Sequence, residues 1–290
     1  MKTLTRVAEM QTAAAGARGL GRRIGFVPTM GALHEGHLSL VRASRQRSDL
    51  SVVSIFVNPP QFSPGEDYRR YPRDLEADAA LLAREGVDIL FAPAVEEIYP
   101  LDFQTSVNVE RLSESLCGRF RPGHFRGVAT VVLKLFIIVA PDVAFFGRKD
   151  AQQSVVIQRL VRDLNLPIEI VVCPIVREPD GLAMSSRNAY LSSEERRAAL
   201  VLHQSLQRAQ ELLLAGERRA RTILDDMQRL IEAEPRGRID YVQAVDAATL
   251  APLDLITGRA FIALAFWIGG ARLIDNLFVD ASGETLTLEL

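Results

Sequence analysis

The residues able to do chemistry gather in a few short loops: His34 and His37; Gln61; His124 and Arg126; Lys149, Asp150 and Gln153; Ser185, Ser186 and Arg187. Most are cations or hydrogen-bond donors. Such a set suits a polyphosphate, which it would serve by positioning and charge stabilisation without a covalent nucleophile. Two of the four histidines stand three residues apart in the stretch 24–37, IGFVPTMGALHEGH. A zinc site is disfavoured there, because the order is H-E-G-H and not H-E-x-x-H, and no cysteine lies nearby. The chain has no G-x-x-x-x-G-K-[ST] and no G-x-S-x-G, which excludes a P-loop and argues against an α/β-hydrolase. Taken singly, Lys149 and Arg187 read as solvated cations, Asp150 as a helix cap and Ser185-Ser186 as a turn. Their joint placement at strand ends favours function.

Holding these groups requires strands that stop where the loops begin. Residues 24–27 form an apolar strand that Pro28 interrupts. Gly31 and Gly36 follow, and after His37 a helical pattern sets in, with Leu38, Leu40 and Val41 apolar and Arg42, Arg45 and Arg47 polar. A strand, a glycine loop and a helix N-terminus together can bind phosphate, with backbone N–H groups facing the anion. A second strand at 50–57 ends at Asn58-Pro59-Pro60-Gln61-Phe62; a helix at 74–86 is closed by Gly86; a third strand spans 87–91. This alternation predicts a parallel α/β sheet, with the 28–37 and 58–62 loops on one edge, beyond the carboxyl ends of the strands. A loop at 118–127 with three arginines leads into an apolar helix at 128–139. A strand at 143–146 runs into Gly147-Arg148-Lys149-Asp150 and a helix to residue 165, a second strand–glycine–helix turn. A strand at 168–172 and a polar loop at 176–188 complete the series. Residues 3–18 read as a first helix; Gly16, Gly19 and Gly21 precede the strand, so they read as a loop and not as a dinucleotide fingerprint.

Beyond the polar loop the pattern changes. A long helix is expected at 192–215, with His203 inside it as a structural residue, and another at 220–234, stopped by Pro235. Strands at 239–245, 260–268 and 272–279 follow, the last two joined by Gly269-Gly270 as a hairpin. The expected organisation is therefore a parallel-sheet α/β domain over 1–175 and a smaller α+β domain over 176–290. The 290 residues are 48% hydrophobic and 24% charged, as in an ordinary globular protein. A net charge of −2 argues against a broad nucleic-acid surface. Two scattered cysteines, no signal-like N-terminus and no bilayer-length apolar run suggest a cytoplasmic chain with no membrane partner.

Six segments in order, PTMGALHEGHLSLV, FVNPPQF, RPGHFRGV, FGRKDAQQ, REPDGLAMSSRN and RLIDN, resemble the pantoate–β-alanine ligase (pantothenate synthetase) family over nearly the whole chain. H-x-G-H alone would be weak, since other nucleotidylyltransferases carry it. The resemblance implies a Rossmann-like α/β nucleotidyltransferase domain with a smaller C-terminal α+β domain as lid, in a homodimer. It also implies condensation of (R)-pantoate with β-alanine through a pantoyl-adenylate, with ATP and Mg2+. By the same resemblance, Met30, Gly31, Ala32, Leu33, His34, Glu35, Gly36 and His37 would bind ATP. So would Gly147, Arg148, Lys149, Asp150, Val176, Met184, Ser185, Ser186 and Arg187. His34, His37, Lys149 and Arg187 would be catalytic, and Gln61 and Gln153 would hold pantoate. No metal ligand among the side chains is implied. Ile137 stands where the family usually has Asn, Asp74 where Thr is common, and Trp267 and Gly270 where polar or basic residues are more usual. The alternatives are another H-x-G-H nucleotidylyltransferase and a catalytically silent nucleotide-binding protein; a tRNA synthetase is disfavoured by the balanced charge.

Overall fold

The structure, a computed structural model, describes residues 1–63, 65–283 and 285–290. It divides into two compact units: residues 1–114, 121–148 and 156–173, and residues 115–120, 149–155 and 174–290.

In chain order the first elements are β1 (Lys2–Leu4), α1 (Val7–Gly19), β2 (Ile24–Thr29), α2 (Glu35–Arg47) and β3 (Leu50–Ile55). Then come α3 (Leu75–Arg84), β4 (Ile89–Phe91), α4 (Val95–Ile98), α5 (Leu116–Phe120), α6 (His124–Val139), β5 (Val143–Gly147), α7 (Ala151–Asp163) and β6 (Glu169–Cys173). Six strands form one all-parallel sheet in the order β1-β4-β3-β2-β5-β6. Its inner strands are largely apolar because both faces are covered. Alternation sorts the side chains. Val27, Val53, Leu90 and Phe145 meet Leu40 and Val41 of α2 and Leu82 of α3. Phe26 and Phe146 point the other way, each with its ring centroid 6.4 Å from that of Phe136 on α6.

The second unit carries α8 (Ser193–Ala198), α9 (Leu200–Leu214), α10 (Ala220–Glu232), β7 (Gly237–Asp246), β8 (Arg259–Ile268), β9 (Ala271–Asp280) and β10 (Thr287–Glu289). Its sheet is antiparallel in the order β10-β9-β8-β7. One face is sealed by Leu202, Leu206 and Leu213 of α9 and Ile223, Met227 and Ile231 of α10, packed on Ile262, Leu264, Phe266 and Leu277.

Several local expectations change. Residues 2–4 are a strand, paired with β4 through Leu4 and Phe91, where the sequence pattern predicts a helix from residue 3. Only Leu4 of the three is buried, so an edge strand costs little apolar exposure. Gly16 and Gly19 lie inside α1 and not in a loop. β2 runs on through Pro28 to Thr29; its pairing with β5 involves only Gly25 and Phe26, so the missing N–H of Pro28 falls where the β5 ladder has already ended. α6 begins at His124, four residues early, behind left-handed Gly123. The long helix divides at Ala199, and Ser192 and Glu195 form a reciprocal capping box at the start of its first half. β10 is an addition to the three expected strands of this unit.

Candidate active site

In the first unit, β2 delivers the chain to a tight turn. Gly31 has φ +80° and Ala32 follows in the same left-handed region at +51°. α2 then begins at Glu35, earlier than periodicity suggests, because His34 is its N-cap. His34 Nδ1 accepts the Gly36 amide at 3.2 Å and His37 Nδ1 accepts the His34 amide at 3.3 Å. The spacing of the two histidines is thus that of a capping box, with imidazoles in place of the usual hydroxyl and carboxylate. Their ring centroids are 4.1 Å apart. With Nδ1 accepting in each, the neutral ring carries its proton on Nε2 and donates from there.

The backbone amides do not fit the expected phosphate cradle. The Gly31 amide donates to Thr29 Oγ1 at 3.2 Å; those of Ala32 and Leu33 donate to the two oxygens of Asp78 at 2.9 and 2.8 Å. With the His34 and Gly36 amides taken by the rings, the turn satisfies these donors itself. Burial pushes the Asp78 carboxyl up, against the downward pull of the two amides it accepts.

The loop after β3 arrives beside this turn, as the sheet-edge rule predicts. Gln61 Nε2 lies 2.9 Å from Met30 Sδ. The amide orientation of Gln61 is set from behind. Tyr99 Oη donates to Asn58 Oδ1 at 2.8 Å, and Asn58 Nδ2 donates to Gln61 Oε1 at 2.9 Å and to the Gly127 carbonyl at 3.1 Å. Asn58 is fully buried. With Oε1 engaged and one N–H directed at Met30 Sδ, Gln61 has its second N–H left as a donor.

His124, grouped in the sequence with the phosphate donors, does not join His34 and His37. It is buried at the start of α6, with Nδ1 2.7 Å from the Gln61 carbonyl and Nε2 3.2 Å from Arg121. Arg121 makes two bonds to Glu66, at 2.7 and 2.6 Å. Burial alone would raise the Glu66 carboxyl, but Arg121, with the Ser63 backbone and His124, outweighs it and holds it below the usual range. The R-P-G-H-F-R-G segment therefore braces the Gln61 turn. Arg126 is exposed, and so is Ile137, at 63%.

β5 ends at Gly147, and Arg148–Asp150 form one 3-10 turn before α7. Within the second unit the Lys149 carbonyl accepts Asn276 Nδ2 at 3.1 Å, and Lys149 Nζ lies 3.8 Å from Asp150. Of the paired glutamines, Gln152 is buried and ties down the chain at Cys117 and Ser115, leaving half-buried Gln153 as the outward one. The polar loop is a small hairpin: Arg177 bridges Ala183, and the Met184 amide donates to the Val176 carbonyl at 3.0 Å. Arg177 holds buried Asp275 with two bonds of 2.7 and 3.0 Å. A Cβ at Gly181 would lie 2.1 Å from His203, whose role is to fill that space; burial lowers its pKa. Ser185 accepts the Arg187 amide at 3.3 Å and caps the turn Ser186–Tyr190, in keeping with the turn reading. Met184, Ser185, Ser186 and Arg187 are all half-buried.

Residues missed from the sequence are supporting ones: Asn58, Tyr99, Asp78, Asn276 and the Arg177–Asp275 pair. Asn58, Arg177, Asp275 and Asn276 lie inside or beside motifs already singled out. Asp78 carries no signal, since it reads as one more polar position on an amphipathic helix.

The sequence profile of the pantoate-beta-alanine ligase family matches residues 2–278. Pantothenate synthetase of Moorella thermoacetica is 57% identical over 282 residues, covering 97% of this chain and 100% of that protein. Pantothenate synthetase of Thermus thermophilus superposes with a TM-score of 0.91 at 49% identity, over 96% of this chain and 99% of that one. Pantoate-beta-alanine ligase of Francisella tularensis, solved in complex with beta-gamma ATP and beta-alanine, superposes with a TM-score of 0.78 at 35% identity, over 96% and 97% of the two chains. With its H-x-G-H turn, its oriented glutamine and this similarity along nearly the entire length, the chain belongs to the pantoate–β-alanine ligase family of ATP-dependent ligases.

Proposed function

We propose that the chain condenses (R)-pantoate with β-alanine in two steps and that the residues identified above divide that work. In the first step a pantoate carboxylate oxygen attacks the α-phosphorus of ATP; the bond from that phosphorus to the bridging oxygen breaks and pyrophosphate leaves. In the second, the β-alanine amine attacks the acyl carbon of pantoyl-adenylate, the bond to AMP breaks, and the amine nitrogen gives up its proton. His34 and His37 donate from Nε2 to phosphate oxygens. Gln61 donates its N–H₂ to the acid, and Gln153 is assigned to the same substrate. Lys149 and Arg187 supply positive charge to the phosphates. Residues 30–37, Gly147, Arg148, Asp150, Val176 and Met184–Ser186 contact the nucleotide.

The observation that carries this reading is the 2.9 Å approach of Gln61 to Met30, which sets an oriented donor for an acid beside the histidine turn. No group of three or more His, Cys, Asp or Glu side chains suited to a metal occurs among the described residues. Mg2+ would arrive with ATP and would neutralise charge on the phosphate oxygens. Membership of this family supports a cytoplasmic homodimer as the working form of the chain. No helix of the described residues is long and apolar enough to cross a membrane.

The test is pyrophosphate release from Mg-ATP by purified protein, with and without pantoate and before β-alanine is added. Release that depends on pantoate is expected. A folded sample that releases none, or releases it equally without pantoate, would overturn the reading.

A further inference from the structure

We infer that Asp78 is a positioning residue for the adenylation step: its carboxylate fills the anion nest of the Gly31–Leu33 turn, so that the imidazoles and not the backbone amides meet the phosphates. The inference rests on the role proposed above for His37 and extends it to a residue on a different helix.

Successive N–H groups in a left-handed turn form a concavity that binds anions. Here the anion is part of the protein. Asp78 Oδ2 accepts the Ala32 amide at 2.9 Å, and Oδ1 accepts that of Leu33 at 2.8 Å. Asp78 is 4% exposed, and it stands on α3, which Leu82 anchors in the core of the parallel sheet. The fit leaves no slack: a Cβ at Gly31 would lie 2.9 Å from Asp78 Oδ2, and Ala32 is held at φ +51°, which a non-glycine residue seldom adopts. A phosphate cannot share two amides already committed to a carboxylate, because the like charges repel. What Asp78 fixes instead is the direction in which the chain enters His34, the N-cap on which both rings are hung. Asp78 thus acts through the imidazoles and needs no contact with ATP.

The test is a mutant cycle. His37→Ala alone should slow pantoate-dependent pyrophosphate release by about 10²–10³-fold, the usual loss for a transition-state donor. Asp78→Asn keeps the shape but can accept with only one end; it should slow release by about ten- to a hundredfold and change ATP affinity less than about threefold. In a background lacking both rings, His34→Ala with His37→Ala, Asp78→Asn should cost less than about threefold more, since the groups it positions are gone. Additive losses would overturn the inference, as would a lower melting temperature with unchanged turnover per folded molecule. A normal His37→Ala enzyme would instead sink the role of His37. Should Asp78→Asn not fold, the wild-type protein still decides. With Mg-ATP bound and no pantoate, the Ala32 and Leu33 amides should show no 15N–31P coupling through a hydrogen bond. Such coupling at either amide would overturn the inference.

Discussion

Gln61 illustrates how a neutral side chain acquires a direction. Tyr99 orients Asn58, Asn58 engages Gln61 Oε1, and the N–H₂ end is turned toward Met30 Sδ, where the function proposed above has it meet the acid. Gln61→Glu keeps the acceptor that Asn58 needs but replaces the donor with a carboxylate oxygen. Pantoate binding should weaken by about a hundredfold or more through like-charge repulsion, while ATP binding changes little. Calorimetric titration of each ligand separates the two. Equal losses for both would mean that Gln61 supports the fold and does not read the acid. At this scale the sequence is informative where function requires particular residue types in series, as in H-E-G-H or N-P-P-Q. It is silent on Asp78, whose partners stand 45 and 46 residues away along the chain and whose bonds exist only once α3 is packed.

Among the elements, α6 and the turn Pro59–Gln61 approach each other closely beside the site. A Cβ on Gly127 would lie 2.5 Å from the Pro60 carbonyl oxygen, so the helix can approach the turn only because residue 127 has no side chain. Gly127→Ala must push backbone aside. It should raise the KM for pantoate more than that for ATP and lower the melting temperature; steady-state kinetics beside thermal melts would show it, and an unchanged pantoate KM would mean that the turn yields freely. The same turn is braced by the Glu66–Arg121–His124 network. The Glu66 carboxyl titrates below its usual 4.5, so its stabilising contribution is complete above the unfolded pKa and is lost as pH falls through the folded one. Glu66→Gln should cost about 1–3 kcal/mol near neutral pH. The gap in melting temperature from wild type should hold steady down to about pH 5 and close below the ordinary carboxylate range. A gap that widens with acid would reverse the sign assigned to Glu66. Strand and helix periodicity predicts most elements, because each spans enough residues to show a period. β1 and β10 have three residues each, too few for any pattern, and the break at Ala199 falls in an alanine-rich run with no glycine or proline to mark it.

On the scale of the molecule, two folding units each close their own core, one around a parallel sheet and one around an antiparallel sheet. Residues 177–190 are the segment proposed to close over the substrates. Residues 177–183 are tied down by charge and by packing: Arg177 with Asp275, Arg196 with Glu178 and Asp180, and Gly181 set against His203. In residues 184–190, Ser185 caps the turn, and Asn188 Nδ2 donates to the Ala183 carbonyl and to Glu178. An adenylate must be kept from water until the amine arrives, so closure here would be useful. Mg-ATP with pantoate should slow hydrogen exchange over 184–190 while leaving 177–183 slow throughout, and Arg187→Ala should abolish the change. Equal exchange with and without ligands in the wild-type protein would remove the lid role.

The paired imidazoles at the start of α2 carry a consequence for any saturation mutagenesis of this chain. Each ring spends one nitrogen on the helix terminus, and the function proposed above assigns the other to the substrate. Replacing either removes a cap, at about 1 kcal/mol, together with a donor. A growth selection that merges abundance with activity would therefore score positions 34 and 37 as intolerant for two unrelated reasons. Only a paired readout, cellular protein level beside turnover per molecule, can apportion the intolerance between a helix that fails to start and a phosphate that goes unmet.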